Sequence, residues 1–233
     1  MGAVAISNIM YTALHSFYPI YIEENFPALR TIHFSIILAT FEVANLATSL
    51  ILGMYMTKLK RKNLIIGSNV LLMTATLAFP LLTYFAVPGD GYLLTAGNGH
   101  IWFFALSVIL RIFQGIASAS IQICAYSFAT NEMRDKKEVY IGYVEMSLGV
   151  GDVIGPAIGG LLFSVIGFSA TFLAFGSMIA IGIVLSITSI PETLNQVAQY
   201  EEEVDPITAM IDQGRSRSSS PRAIGGEFDN PRH

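Results

Sequence analysis

The stretch Val153–Pro191, VIGPAIGGLLFSVIGFSATFLAFGSMIAIGIVLSITSIP, holds no charged residue in 39 consecutive positions. A helix crosses the roughly 30 Å hydrocarbon core of a bilayer in about 20 apolar residues, so this run is too long for one crossing and suits two. Gly167-Phe168-Ser169 supplies the break. Extended backward to about Val139, the first part takes in Glu145 and Asp152 and becomes a fifth span, with the remainder a sixth. Four more windows lie upstream. Gly2–Ile22 ends at Glu23-Glu24, His33–Thr57 is interrupted only by Glu42, Asn63–Pro88 is uncharged, and Ile101 to about Thr130 encloses Arg111. These windows predict an all-α polytopic membrane protein, with six transmembrane helices in residues 1–191 and a separate segment in 192–233.

Composition agrees. Apolar residues make up 53% of the 233 and charged residues only 13%, about half the charged share of a soluble domain. Mean hydropathy is +0.57. A soluble enzyme, a disordered protein and a nucleic-acid-binding module are excluded on that balance. A single cysteine, Cys124, cannot form an internal disulfide, and no Cys/His cluster has metal-ligand spacing, so neither a metal nor another cofactor is expected.

Charge placement gives an orientation. Lys58, Lys60, Arg61 and Lys62 follow span two; Arg134, Lys136 and Lys137 follow span four; Arg215, Arg217, Arg222 and Arg232 lie in the tail. These are eleven of the thirteen basic residues, and basic residues near span ends stay on the cytoplasmic side, so both termini are expected there. A secretory signal reading of the N-terminus fails for want of a basic leader and a small-residue cleavage site before Glu23. The myristoylation pattern fails at Ile6. From Glu192 the chain turns acidic at Glu201-Glu202-Glu203, then rich in Gly, Ser, Arg and Pro, a composition that predicts a disordered cytoplasmic tail. Ser216 and Ser218–Ser220, set among arginines before Pro221, are candidates for phosphorylation.

Charges inside spans decide the chemistry. At about 2.5–3.5 kcal/mol each on insertion scales, Glu42, Arg111, Glu145 and Asp152 are expected to face protein or a watery cavity rather than lipid. Glu145 and Asp152 stand seven apart, two turns along one helix face and about 10 Å along the axis. Arg111, Gly115, Ser118 and Gln122 form a polar stripe at helical period, as do Glu42, Asn45 and Ser49. The stripes read either as the lining of a substrate and proton pathway, or as a structural pairing of Arg111 with Glu145 or Asp152. His15, Cys124, Trp102 and the methionines read as packing. Gly149, Gly151, Gly155, Gly159 and Gly160 permit close helix approach in lipid, and Pro156 bends the helix.

Gly151-x-x-x-Gly155-Pro156-x-x-Gly159-Gly160 resembles the antiporter motif in span five of the major facilitator superfamily. Arg111-x-x-Gln114-Gly115 resembles its span-four motif, and Gly53-x-x-x-Thr57-Lys58-x-x-Arg61-Lys62 its loop motif between spans two and three. Gly160 and Gly167, seven apart, echo the loop motif's internal repeat. Thr57 stands where an acidic residue is usual, and Lys60 where a second glycine is. Over about Ser16–Thr193 the chain looks most like drug:proton antiporters and vesicular amine and polyamine transporters. The resemblance implies half of a major facilitator fold, built as two three-helix repeats. It further implies exchange of a small cationic organic solute for protons by alternating access. Arg111, Gln114, Glu145 and Asp152 would serve coupling, and Glu42 would attract the cation. A second six-span half, from the same or another chain, is the expected partner. The chain is expected to be a fragment of a longer product; either a plasma membrane or a vesicle membrane fits.

Two other classes compete. A non-transporting scaffold would keep the glycines but need no buried charges. Gly149-Val150-Gly151-Asp152 also spells the Gly-x-Gly-Asp signature of intramembrane aspartyl proteases, but that chemistry needs a second carboxylate ångströms away. The Tyr-Asp pair that supplies it is absent from the sequence.

Overall fold

The computed structural model describes residues 2–26, 29, 31–56, 59–85, 99–131 and 136–189. Among these, every regular element is helical: α1 (Gly2–Asn25), α2 (Thr31–Tyr55), α3 (Arg61–Phe85), α4 (Gly99–Asn131) and α5 (Lys137–Ser189). The expectations for Lys58, Thr57, Arg134 and the segment from Glu192 onward lie outside the described residues.

Long apolar runs without helix-breaking charge make the helices, and lipid requires them, since a helix satisfies its own backbone groups. α2, α3, α4 and α5 are each long and apolar enough to cross a membrane. α1 falls outside that set by hydropathy. Ser7, Asn8, Thr12 and Ser16 dilute its hydropathy, and the packing explains why they are tolerated. Ser7, Asn8 and Thr12 are buried against neighbouring helices together with Met10, Leu14, Phe17, Tyr18 and Ile22. α2 is the opposite case, with only Ile37 and Phe41 of its 25 residues buried.

The last element carries the break expected at Gly167-Phe168-Ser169. α5 is two helical segments that meet at a kink at Gly167, at φ 75° and ψ −179°. No side-chain-bearing residue adopts that conformation cheaply. At about 1.5 Å per residue, the segments before and after Gly167 are each long enough to traverse a hydrocarbon core.

α1 packs on α5, α2 on α4, and α3 on both α4 and α5. Aromatic rings fill the seam at the far end of α1. Tyr18 donates to Ser107 Oγ at 2.7 Å, Phe79 stacks on Phe172 at 4.8 Å, and Phe168, just past the Gly167 bend, stacks on Tyr21 at 3.7 Å. At the opposite end Cys124 Sγ approaches the Arg61 carbonyl at 4.0 Å, so the start of α3 and the end of α4 share one end of the bundle.

Candidate functional site

The glycines of α5 set the geometry. A Cβ on Gly151 would meet Asn8 Cβ at 2.8 Å, one on Gly155 the Ile9 carbonyl oxygen at 2.8 Å, and one on Gly159 the Ala13 carbonyl oxygen at 2.7 Å. Three glycines of α5 spaced four apart are therefore seated on α1, Gly155 and Gly159 against its backbone carbonyls and Gly151 against the Asn8 side chain. Gly160 differs, its nearest neighbour being Ser16 Oγ at 3.8 Å, and Gly53, Gly142 and Gly149 face open space. Pro156 lies inside α5 between two seated glycines. Gly115 plays the same part on α4, where a Cβ would lie 2.6 Å from the Phe41 carbonyl oxygen of α2.

Close approach brings polar groups of α1 onto its neighbours. Asn8 Nδ2 donates to Asp152 Oδ1 at 2.8 Å and to the Leu148 carbonyl at 2.6 Å. Thr12 Oγ1 donates to the Gly151 carbonyl at 2.8 Å. The Tyr11 hydroxyl donates to Glu42 Oε1, and on the α4–α5 seam the Tyr126 hydroxyl donates to Glu145 Oε1. Asn8 and Tyr11 are three apart on α1, hence neighbours on one face. Glu42 of α2 and Asp152 of α5 thus flank α1 on the same side, and Glu145 lies two turns from Asp152 along α5. All three carboxylates are solvent-exposed in this chain, and each is held by a neutral donor.

Arg111 is placed differently. It is fully buried, with Nη1 donating to Gln114 Oε1 at 3.2 Å while Nε and Nη2 have no hydrogen-bond partner. The structural pairing with Glu145 or Asp152 is therefore not made. Its guanidinium carbon lies 5.6 Å from the Phe41 ring centroid instead. Gln114, also fully buried, donates to Thr76 Oγ1 at 3.2 Å and to Met10 Sδ at 3.7 Å, joining α4 to α3 and α1.

On the α4 stripe, Arg111, Gly115 and Ser118 are buried and Gln122 is half-buried, with Ser118 accepting from Ser7 at 3.0 Å and from Gln122 at 3.3 Å. In the loop motif, Arg61 and Lys62 open α3 and are buried, whereas Gly53 is exposed. His15 is exposed and packs edge-on against Tyr11 at 4.7 Å. Trp102 is surface-exposed, and Met10 acts as an acceptor as well as filling.

Sequence reasoning missed the donors Asn8, Tyr11 and Tyr126. Their signal was weak but present: Asn8, Tyr11, Thr12 and His15 recur on one face of α1, and Tyr126 continues the α4 spacing one turn beyond Gln122.

A sequence model of the Major Facilitator Superfamily matches residues 1–222. The MFS-type transporter SLC18B1 of Homo sapiens is 23% identical over 185 residues, covering 79% of this chain and 38% of that protein. The tetracycline resistance protein, class H, of Pasteurella multocida is 29% identical over 162 residues, covering 70% of this chain and 34% of that protein. The multi-drug resistance efflux pump PmrA homolog of Lactococcus lactis subsp. lactis (strain IL1403) is 29% identical over 92 residues, 40% of this chain and 23% of that protein. The chain spans well under half the length of the curated relatives it matches. With its long apolar helices and a family match over nearly its whole length, the chain is a multi-pass membrane protein and belongs to the Major Facilitator Superfamily.

Proposed function

We propose that this chain forms the six-span half of a secondary transporter that exchanges a small cationic organic solute for protons by alternating access. The two stretches of α5 on either side of Gly167 would be spans five and six, completing two three-helix repeats. The observation that carries the reading is the convergence of Glu42, Glu145 and Asp152 on one exposed face, each with a phenol or amide partner in place of a cation. Facing lipid, three ionised carboxylates would cost on the order of 8–10 kcal/mol, so that face belongs to a wet cavity closed by a second half. Negative charge held only by neutral donors is available to a cation or to protons. Arg111 and Gln114 are the fixed positive group behind the cavity wall, while Gly151, Gly155, Pro156 and Gly159 seat α5 on α1 so that the pair moves as a unit. Protein relatives named as a transporter, an efflux pump and a resistance protein fit such an activity.

The test is uptake of a permanently charged dye such as ethidium into proteoliposomes under an imposed pH gradient, comparing wild type with Glu145→Gln. Gradient-driven uptake that falls about tenfold or more in the variant supports coupling through Glu145, a general base or acid contributing on that order. Unchanged uptake removes Glu145 from coupling. Absence of uptake in the wild type favours the non-transporting scaffold, for which the α1–α5 glycine packing alone would suffice. The protease reading loses ground, because Asp152 is held by the Asn8 amide where a second carboxylic acid would be required.

A further inference from the structure

Glu42 and Arg111 carry opposite charge on two helices in direct contact, yet they do not pair. Glu42 is exposed and takes its hydrogen bond from Tyr11. Arg111 is sealed in with two nitrogens lacking any acceptor, an arrangement that a buried cation normally avoids. The residue between them is Phe41, next to Glu42 in sequence and only 1% exposed. Its ring is flanked by the Arg111 guanidinium, 5.6 Å from the centroid, and by the Tyr11 ring, stacked at 4.2 Å and 13°. The Phe41 carbonyl is in turn packed against Gly115, one turn beyond Arg111 on α4, so the backbone that carries the ring is held by the α2–α4 contact.

We propose that Phe41 is an insulating partition: it turns a ring face to Arg111 and keeps it from neutralising Glu42, which thereby remains free for a protonated or quaternary amine. The inference rests on the cation-transport reading and adds a positioning residue to it. The physical basis is a competition. In a low-dielectric interior a guanidinium prefers a carboxylate, with a charge-assisted bidentate bond, to an aromatic face. A carboxylate satisfied in that way offers little to a solute cation. The two-ring stack of Phe41 and Tyr11 separates the two charges, and the Tyr11 hydroxyl orients the carboxylate without cancelling its charge. Two other ionisable groups lie on that face: His15 packs on the edge of Tyr11, and Asp152 takes its hydrogen bond from Asn8, one turn back along α1.

The experiment is equilibrium binding of radiolabelled methylphenylpyridinium, a permanently charged aryl cation, to the purified full-length protein. Wild-type binding that is lost in Glu42→Gln fixes the site. Phe41→Ala is expected to weaken binding about tenfold or more, the worth of one charge-assisted contact diverted to Arg111. Phe41→Leu, which keeps apolar bulk, stays within about twofold, and the double variant Phe41→Ala/Arg111→Gln regains most of the loss because the competing cation is gone. Wild-type affinity in Phe41→Ala overturns the partition, and so does a double variant as weak as the single one, since that marks a packing defect. If wild-type binding is indifferent to Glu42→Gln, the cation site itself is refuted and the partition with it.

Discussion

One side chain of α1 bridges two turns of α5: Asn8 Nδ2 reaches the Leu148 carbonyl at 2.6 Å and Asp152 Oδ1 at 2.8 Å. Interhelical hydrogen bonds inside membranes are worth about 0.6 kcal/mol on average and up to about 1.7. Asn8→Ala is therefore expected to lower the apparent melting temperature in detergent by a few degrees, using about 2–4 °C per kcal/mol for a chain of this size. Asn8→Asp sets a second carboxylate against Asp152 and is expected to lose more, and the excess should vanish in an Asn8→Asp/Asp152→Asn double variant. Equal melting of the Ala and Asp variants would refute the contact.

The α5 glycines separate into two classes that sequence cannot tell apart. Gly159→Ala drives a methyl to within 2.7 Å of the Ala13 carbonyl, and Gly155→Ala one to within 2.8 Å of the Ile9 carbonyl; backbone at that range cannot step aside. Overpacking of this kind costs about 1–3 kcal/mol. Gly160→Ala finds its first neighbour at 3.8 Å and is expected to be neutral or slightly stabilising, since alanine is about 0.5–1 kcal/mol better in a helix interior. Thermal unfolding of the three single variants checks the order. Comparable losses at positions 159 and 160 would contradict the α1–α5 register.

Gln114 supplies the hydrogen-bond acceptor of buried Arg111. Gln114→Leu leaves that charge without any and is expected to destabilise by about 1.5–3 kcal/mol, the worth of a hydrogen bond to a charged group. Arg111→Met/Gln114→Leu removes the charge as well and should lose less than Gln114→Leu alone. A double-mutant cycle by equilibrium unfolding in mixed micelles gives the coupling, expected at about 1–3 kcal/mol. Additive losses would show that the 3.2 Å contact carries no energy.

Topology offers a prediction independent of stability. Lys60 and Lys136 are exposed and lie at the end of the bundle where Cys124 meets Arg61. With Cys124 replaced by Ala, single cysteines at 60 and 136 are expected to react alike with a membrane-impermeant maleimide, from the cytoplasmic side, as the clustering of basic residues implies. Labelling from opposite sides would break the six-span arrangement.

How far the sequence was readable follows the same physics. α2 to α5 were legible because a hydrocarbon core demands long uncharged runs, and residue 167 because glycine interrupts one of them. α1 was only half legible: its polar residues pack against protein, and hydropathy sums composition without knowing which side is lipid. The family motifs could be placed by spacing. Partner choice could not, since Tyr11 to Glu42 and Tyr126 to Glu145 are long-range contacts set by helix crossing, and Arg111 has three carboxylates within spans to choose from and meets none.

The bend at Gly167 isolates a backbone effect from any steric one. No atom lies within 4 Å of where its Cβ would be, so Gly167→Ala meets open space, yet φ 75° with ψ near 180° is a region that only glycine occupies at little cost. The substitution is expected to destabilise by about 1–3 kcal/mol. Gly142→Ala, equally open but helical, is the control and should be neutral or stabilising. The strain has an escape: residue 167 can turn helical, which straightens α5 and pulls Phe168 off Tyr21, where the rings now stack at 3.7 Å. Spin labels at exposed Ile154 and Ile181, on either side of the bend, should then report a longer distance in Gly167→Ala than in wild type. An unchanged distance together with unchanged stability would show that the bend is imposed by packing around it, with the glycine incidental.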